Sequence, residues 1–213
     1  MDVVFYGDSI TEHWIGTDLA TQWKHWLKIN EVFQKHFNTT SSEEAVYNGI
    51  PLGIGGDKCG QVLYRIENGE LPDDLDPKVF WILIGTNDLG AYKCSAESVA
   101  AGNIRIVEVL KAKRPEAKIV LNSMLPRGAY SLGDDMSQSP QWHEVQKVNQ
   151  WLECYANSME GVEFFNATAH FVVSYDDKVH QVEKYYQDGV HPSAKGSKSW
   201  AQSIVKRLDE MIG

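Results

Sequence analysis

Cysteine is scarce in this chain of 213 residues: there are three, Cys59, Cys94 and Cys154, and none has C-x-x-C spacing. Three cysteines build no disulfide framework. The usual compartment rule favours reduced structural thiols, and a Cys59–Cys94 bridge is reserved for a secreted form. Long apolar runs are missing too. None approaches the ~20 residues that span a bilayer, so the chain is not expected to be an integral membrane protein. Positive charge is short: 20 Lys and Arg stand against 29 Asp and Glu, a formal net charge of −9. A surface of that sign attracts neither nucleic acid nor an anionic membrane. Repeats, low-complexity tracts and linkers are absent, so residues 1–213 read as one domain with one core. No signal peptide precedes the run Val3-Val4-Phe5-Tyr6, which fits either an intracellular protein or a domain trimmed from a longer precursor. Asn38-Thr39-Thr40 and Asn166-Ala167-Thr168 match the glycosylation sequon, but so short a pattern recurs by chance, and the compartment stays open.

Metal and nucleotide signatures are missing as well. His13, His25, His36, His143, His170 and His180 show neither H-E-x-x-H nor another zinc spacing, and surface or packing roles suit them better. Gly53-Ile54-Gly55 has Lys58 where G-x-G-x-x-G needs its last glycine, and there is no G-x-x-x-x-G-K-[ST]. No cofactor and no metal are expected.

What the chain does have is alternation. Val3–Tyr6, Ala45–Tyr47, Val79–Ile84, Ile119–Leu121 and Val162–Phe165 are short runs, mostly β-branched or aromatic, as buried parallel strands should be. Between them Cys59, Val62, Leu63 and Ile66 form a helical stripe, as do Val145, Val148, Leu152 and Tyr155, and Ala201, Ile204, Val205 and Leu208. Ser95 is a plausible N-cap for a helix running to about Lys113, with Pro115 beyond its end. This pattern predicts an α/β fold, a three-layer flavodoxin-like sandwich around a five-stranded parallel sheet. Of the tryptophans, Trp23, Trp26 and Trp81 are expected in the core, with Trp14 and Trp142 on a pocket rim.

Ligands of such sheets bind at the carboxyl edge, where strand order reverses, so reactive residues should follow several different strand ends. Four clusters do. Gly7-Asp8-Ser9 follows the first strand, Gly53-Ile54-Gly55-Gly56-Asp57 the second and Gly85-Thr86-Asn87-Asp88 the third, while Asp188-Gly189-Val190-His191-Pro192 precedes the last helix. A serine hydroxyl needs a base to take its proton during attack. His191 can be that base, and Asp188 can fix its tautomer and stabilise the imidazolium. Acyl transfer also needs donors aimed at the developing oxyanion, which the N–H groups of Ser9 and Gly56 and the Asn87 amide can supply. Each residue also has a plainer reading. Ser9 could merely end a strand, Asp188 and His191 could belong to a surface turn before the N-cap Ser193, and Asn87 could shape a turn. Gly55 competes with Gly56 as the closer donor.

Taken in order, the four clusters resemble the sequence blocks of the SGNH, or GDSL, hydrolases: serine in G-D-S, then glycine, then asparagine in G-T-N-D, then D-x-x-H. Gly53–Asp57, Arg65-Ile66-Glu67-Asn68-Gly69-Glu70-Leu71 and Leu125-Pro126-Arg127-Gly128 look most like the platelet-activating-factor acetylhydrolase type. The resemblance runs from about Val3 to Pro192, departing at Ile10, where the G-D-S-L name expects leucine. It implies a metal-free serine esterase with Ser9, Asp188 and His191 as triad and Ser9, Gly56 and Asn87 as oxyanion hole. No G-x-S-x-G elbow of the α/β-hydrolases occurs.

Ile10 and Thr86, next to Ser9 and Asn87, are read as lining a small acyl site, and the resemblance favours acetyl. The expected partner is a small-molecule acyl ester, an acetylated carbohydrate or a lipid among the candidates. A thioesterase, a lysophospholipase and a silent binding subunit are the competing readings. Two long segments, Pro126–Pro140 and Ser174–Gln187, are expected to overhang the active edge and to set the substrate. No pattern here specifies an oligomeric state.

Overall fold

The run Val3–Gly7 is buried at every position because it forms an interior strand, paired on both sides. In the computed structural model, which describes residues 1–127 and 135–213, this strand (β1) leads into helix α1 (Ser9–Glu12), the hairpin β2 (Thr17–Asp18) and β3 (Thr21–Gln22), helix α2 (Lys24–Phe37) and β4 (Gly49–Gly53). The chain continues through α3 (Cys59–Arg65), β5 (Val79–Leu83), α4 (Thr86–Gly90), α5 (Ala96–Lys113), β6 (Lys118–Asn122) and α6 (Pro140–Ser158). It ends with β7 (Val162–Phe165), α7 (Thr168–Phe171), the hairpin β8 (Val172–Tyr175) and β9 (Lys178–Gln181), and α8 (Ala194–Ile212).

The main sheet is parallel, in the order β4-β1-β5-β6-β7. Successive strand residues point to opposite faces, and this sorts the core into two clusters. Val4, Tyr6, Phe80, Ile82, Ile119 and Leu121 pack against α3, α5 and α6. Val3, Phe5, Trp81 and Val120 pack against the Trp26, Ile29, Phe33 and Phe37 stripe of α2 and the Trp200, Ile204 and Leu208 stripe of α8. The expected three-layer flavodoxin-like sandwich is what forms. Its strand order reverses at β1, which places the carboxyl end of β1 at the switch point.

The second strand is not Ala45–Tyr47 but Gly49–Gly53, in register from Val3 opposite Gly49 to Gly7 opposite Gly53. Gly-Ile-Pro-Leu-Gly has poor strand propensity, yet β4 is an edge strand, where proline is tolerated. Gly53 must come close to α1: a Cβ there would lie 2.3 Å from the Glu12 nitrogen. Tyr47 acts instead as a staple ahead of the strand, its hydroxyl donating to Asp209 Oδ1 of α8 at 2.7 Å.

Three tryptophans depart from expectation. Trp26 and Trp81 are buried, but Trp23 is 52% exposed, because it precedes α2 and lies off its apolar stripe. Trp14 and Trp142 are core residues rather than rim residues. Trp14 turns inward after α1, its ring centroid 5.6 Å from that of Phe33 and 5.3 Å from that of Trp200. Trp142 lies in the first turn of α6, within the α3–α5–α6 cluster. Ser95 and Ser193 cap α5 and α8 as expected, accepting from the N–H groups of Ser98 and Gly196. The thiols of Cys59, Cys94 and Cys154 are all free. Among the described residues no helix is long and apolar enough to cross a membrane.

Candidate active site

Ser9 is the first residue of α1, directly after the switch-point strand. Asp8 caps this short helix by accepting the Ile10 N–H at 3.0 Å, and that bond orients the turn carrying the serine. The other Asp8 oxygen is buried without a partner among the described residues. Burial pushes the Asp8 carboxyl up to about 7, although the Ile10 bond pulls the other way. Ser9 is nearly buried, at 7% exposure.

His191 reaches that hydroxyl: Ser9 Oγ and His191 Nε2 are 2.9 Å apart across 182 residues of sequence. On the other side of the ring, His191 Nδ1 lies 2.7 Å from Asp188 Oδ2. Asp188 Oδ1 accepts the backbone N–H groups of His191 at 2.8 Å and Val190 at 3.0 Å, so one carboxylate holds both the ring and its loop. Partial burial raises the Asp188 carboxyl, but these bonds and the attraction of His191 outweigh it and hold the group well below the usual carboxylate range. The loop is closed at its base by the Gln187 N–H donating to the His191 carbonyl at 2.9 Å.

The segment Ser174–Gln187 buttresses this loop. It is not an open loop: its first part belongs to β8 and β9, joined by Asp176 and Asp177, both at positive φ, as a two-residue hairpin turn requires. Buried Gln181 donates to the carbonyls of Gly189 at 2.8 Å and Pro126 at 2.9 Å, and Tyr186 donates to Pro126 at 2.8 Å. In the other long segment, Gly128 and Tyr130 lie outside the described residues.

Two further turns face the serine turn. Gly56 is exposed and sits at φ +84, a conformation glycine adopts without strain. The Gly55 N–H is engaged, donating to Glu12 Oε2 at 2.6 Å, which removes it as a competing donor. Asn87 Nδ2 donates to the Asp57 carbonyl at 2.9 Å, and an amide nitrogen so held keeps a second hydrogen to offer. Asp88 accepts the Cys59 N–H at 3.2 Å and so ties the G-T-N-D turn to the start of α3. Ile10 is buried in the α2–α8 cluster, and Thr86, 7% exposed, lies beside Arg127, whose Nη1 is 3.2 Å from its Oγ1.

Several organising residues escaped the sequence reading. Arg65 donates to Asp57 Oδ2 at 2.8 Å and to the carbonyls of Gly7 and Leu52, and it pairs with Glu70. It thereby braces the ends of β1 and β4 against the glycine turn. Burial raises the Asp57 carboxyl, and the adjacent Arg65 offsets this only in part. His13 has the packing role expected of it, but the packing lies against His191: its ring stacks on Trp26 at 3.4 Å and stands 4.8 Å from the His191 ring. Burial, with repulsion from His191, lowers the His13 pKa to about 3. Asp18 Oδ1, 3.6 Å from His13 Nε2, is too far for a hydrogen bond. No local pattern marks these residues, because their partners are brought in by the fold. Among the described residues no three His, Cys, Asp or Glu side chains group as metal ligands.

The GDSL-like Lipase/Acylhydrolase family model matches residues 5–198. Platelet-activating factor acetylhydrolase IB subunit alpha2 of Bos taurus is 31% identical over 173 residues, covering 81% of this chain. The chain spans 62% of that relative's length. Among solved structures, a GDSL-like lipase from Bacteroides thetaiotaomicron superposes with a TM-score of 0.71 at 24% identity, covering 99% of this chain and 89% of the other. A carbohydrate acetylesterase from Sinorhizobium meliloti superposes with a TM-score of 0.65 at 18% identity, covering 99% of both chains. These two share the fold. With the family model spanning the G-D-S turn, the G-T-N-D turn and the D-x-x-H loop, the chain belongs to the GDSL-like lipase/acylhydrolase family, of the platelet-activating-factor acetylhydrolase-like type.

Proposed function

We propose that the chain is a serine esterase hydrolysing short-chain acyl esters, acetyl foremost, in two acyl-transfer steps. The observation that carries this reading is the continuous contact line from Asp188 Oδ2 to His191 Nδ1 and from His191 Nε2 to Ser9 Oγ, at 2.7 and 2.9 Å. Ser9 attacks the ester carbonyl while His191 takes its proton, and Asp188 stabilises the imidazolium. The carbonyl oxygen, becoming an oxyanion, is met by the N–H groups of Ser9 and Gly56 and by the Asn87 amide. The alcohol leaves with the proton from His191. Water, deprotonated by His191, then attacks the acyl-serine and releases the acid.

Ile10 and Thr86 are assigned to the wall of the acyl site. Ile10 and Thr86 stand next to Ser9 and Asn87 in the sequence, and both are nearly buried. The acetyl preference is supported by two names, an acetylhydrolase among the relatives and a carbohydrate acetylesterase among the structures of like fold. An acetylated carbohydrate or a lipid supplies the alcohol portion. The test compares kcat/KM on matched acetyl, octanoyl and thioester substrates, with fluorophosphonate labelling of Ser9 as readout of the nucleophile. Fastest turnover of the acetyl ester supports the proposal. Preference for the octanoyl ester or the thioester overturns the acetyl assignment, and absence of labelling overturns the serine mechanism.

A further inference from the structure

Glu12 is a carboxylate buried to 4% exposure, three residues beyond the nucleophile, with no cationic partner among the described residues. An ionised carboxylate buried without a counter-ion is costly unless hydrogen bonds satisfy it. Three do. Oε1 accepts the Thr17 hydroxyl at 2.9 Å and the Ala20 N–H at 2.8 Å, both from the β2–β3 hairpin. Oε2 accepts the Gly55 N–H at 2.6 Å. The carboxylate therefore lies between the hairpin and the glycine turn and holds both.

The far end of that turn is held at Asp57, which accepts from Arg65 at 2.8 Å and from Asn87 at 2.9 Å, and the glycines before it have fewer restraints. Within the turn the Asp57 N–H donates to the Ile54 carbonyl at 3.1 Å, and the Ile54 N–H reaches Gly7 only at 3.4 Å. Gly56 itself is exposed, and a Cβ there would meet nothing within 4 Å, so packing does not hold it. The shortest bond into the turn is the one from Gly55 to Glu12, one peptide before the proposed oxyanion donor. A carboxylate suits the position because it accepts at both oxygens and donates at neither.

We propose that Glu12 is a positioning residue of the oxyanion hole: it holds the Ile54–Gly55 peptide and through it orients the next peptide, so that Gly56 N–H is the donor presented to substrate. The inference rests on the reading of Gly56 as an oxyanion donor. Glu12 touches no reacting atom. It acts by fixing the peptide before the one that does, and it anchors that peptide to the exposed Leu19–Ala20 hairpin tip. Neither glutamine nor aspartate can replace it. Glutamine keeps one acceptor oxygen and turns an amide donor towards one of the two sides, and aspartate is one methylene too short to span both.

The test is kinetic and uses a trifluoromethyl ketone, which adds to the serine hydroxyl as a tetrahedral oxyanion. Transition-state analogues report the same interactions as catalysis does, and Ki is independent of the fraction of active protein. Removing an oxyanion donor outright costs ~10²–10³-fold in kcat. Displacing one by Glu12→Gln should cost about 10- to 100-fold, with KM changed less than about threefold and Ki for the ketone weakened in parallel with kcat. Glu12→Asp carries the same expectation and serves where the glutamine variant does not accumulate folded. A folded variant with kcat and Ki within about threefold of wild type overturns the proposal, as does a fall in kcat with Ki unchanged. Ser9→Ala is assayed alongside. If it stays active, the serine reading itself fails and the proposal with it; if it is inactive, an unaffected Glu12 variant overturns the positioning role alone.

Discussion

Asn87 donates its side-chain N–H to the Asp57 carbonyl across 2.9 Å, tying the turn after β5 to the turn after β4. This bond uses one of two amide hydrogens and fixes the plane of the other. Asn87→Ala should therefore lower kcat by ~10²–10³-fold and change KM little. Asn87→Asp should be worse, since a carboxylate would face both the developing oxyanion and the Asp57 carbonyl, neither of which donates. Comparable steady-state kinetics for the Asp variant and wild type, both folded by circular dichroism, would return Asn87 to the role of a turn former.

Ser9→Ala should lower kcat by ~10⁴-fold or more and leave the fold intact. The hydroxyl's contact is His191 Nε2, so its loss removes no core packing. Retention of more than about a tenth of wild-type activity takes the nucleophile role away from Ser9.

Asp188→Asn should cost about 10⁴-fold in kcat. Asp188 accepts from the His191 ring and from two backbone N–H groups, and an amide with one acceptor cannot serve both the ring and the loop. Asn would favour a His191 tautomer that cannot take the serine proton. An Asn variant within tenfold of wild type would show that orientation of the ring is set elsewhere.

Asp8→Asn should raise thermal stability at neutral pH and leave it nearly unchanged in acid. Burial lifts the Asp8 carboxyl from the ordinary 3.8 to about 7, so between those values the native state binds a proton that the unfolded chain has lost. The stabilising contribution of this group is full below about pH 4 and is lost as pH rises through about 7. Asparagine keeps the acceptor for the Ile10 N–H and does not titrate. The gain in Tm should grow from pH 4 to pH 8 to several degrees. A Tm difference that does not vary with pH contradicts this account.

Dialysis against a strong chelator should leave the hydrolysis rate unchanged. Every step of the proposed mechanism is assigned to a protein group, and no ligand cluster exists among the described residues. A rate that falls on dialysis and returns with zinc or calcium would require a different mechanism.

Much of this protein was determined locally in its sequence. The helical stripes of α3, α6 and α8, the caps Ser95 and Ser193 and four of the five sheet strands follow from periodicity and short-range chemistry, which neighbouring residues specify among themselves. That Ser9, Asp188 and His191 come together was legible because parallel α/β topology sends strand ends to one edge. Only the tertiary structure decided the rest. Gly49–Gly53 is a strand because it lies at the sheet edge against β1, not because its residues favour one. Trp14 is core because α2 and α8 close over it. Gly55 and Gly56 are alike in sequence, and a carboxylate 43 residues away separates them by taking the Gly55 N–H. Long-range contacts of this kind leave no periodic trace, since each pairs two positions whose spacing is set by the whole path of the chain between them.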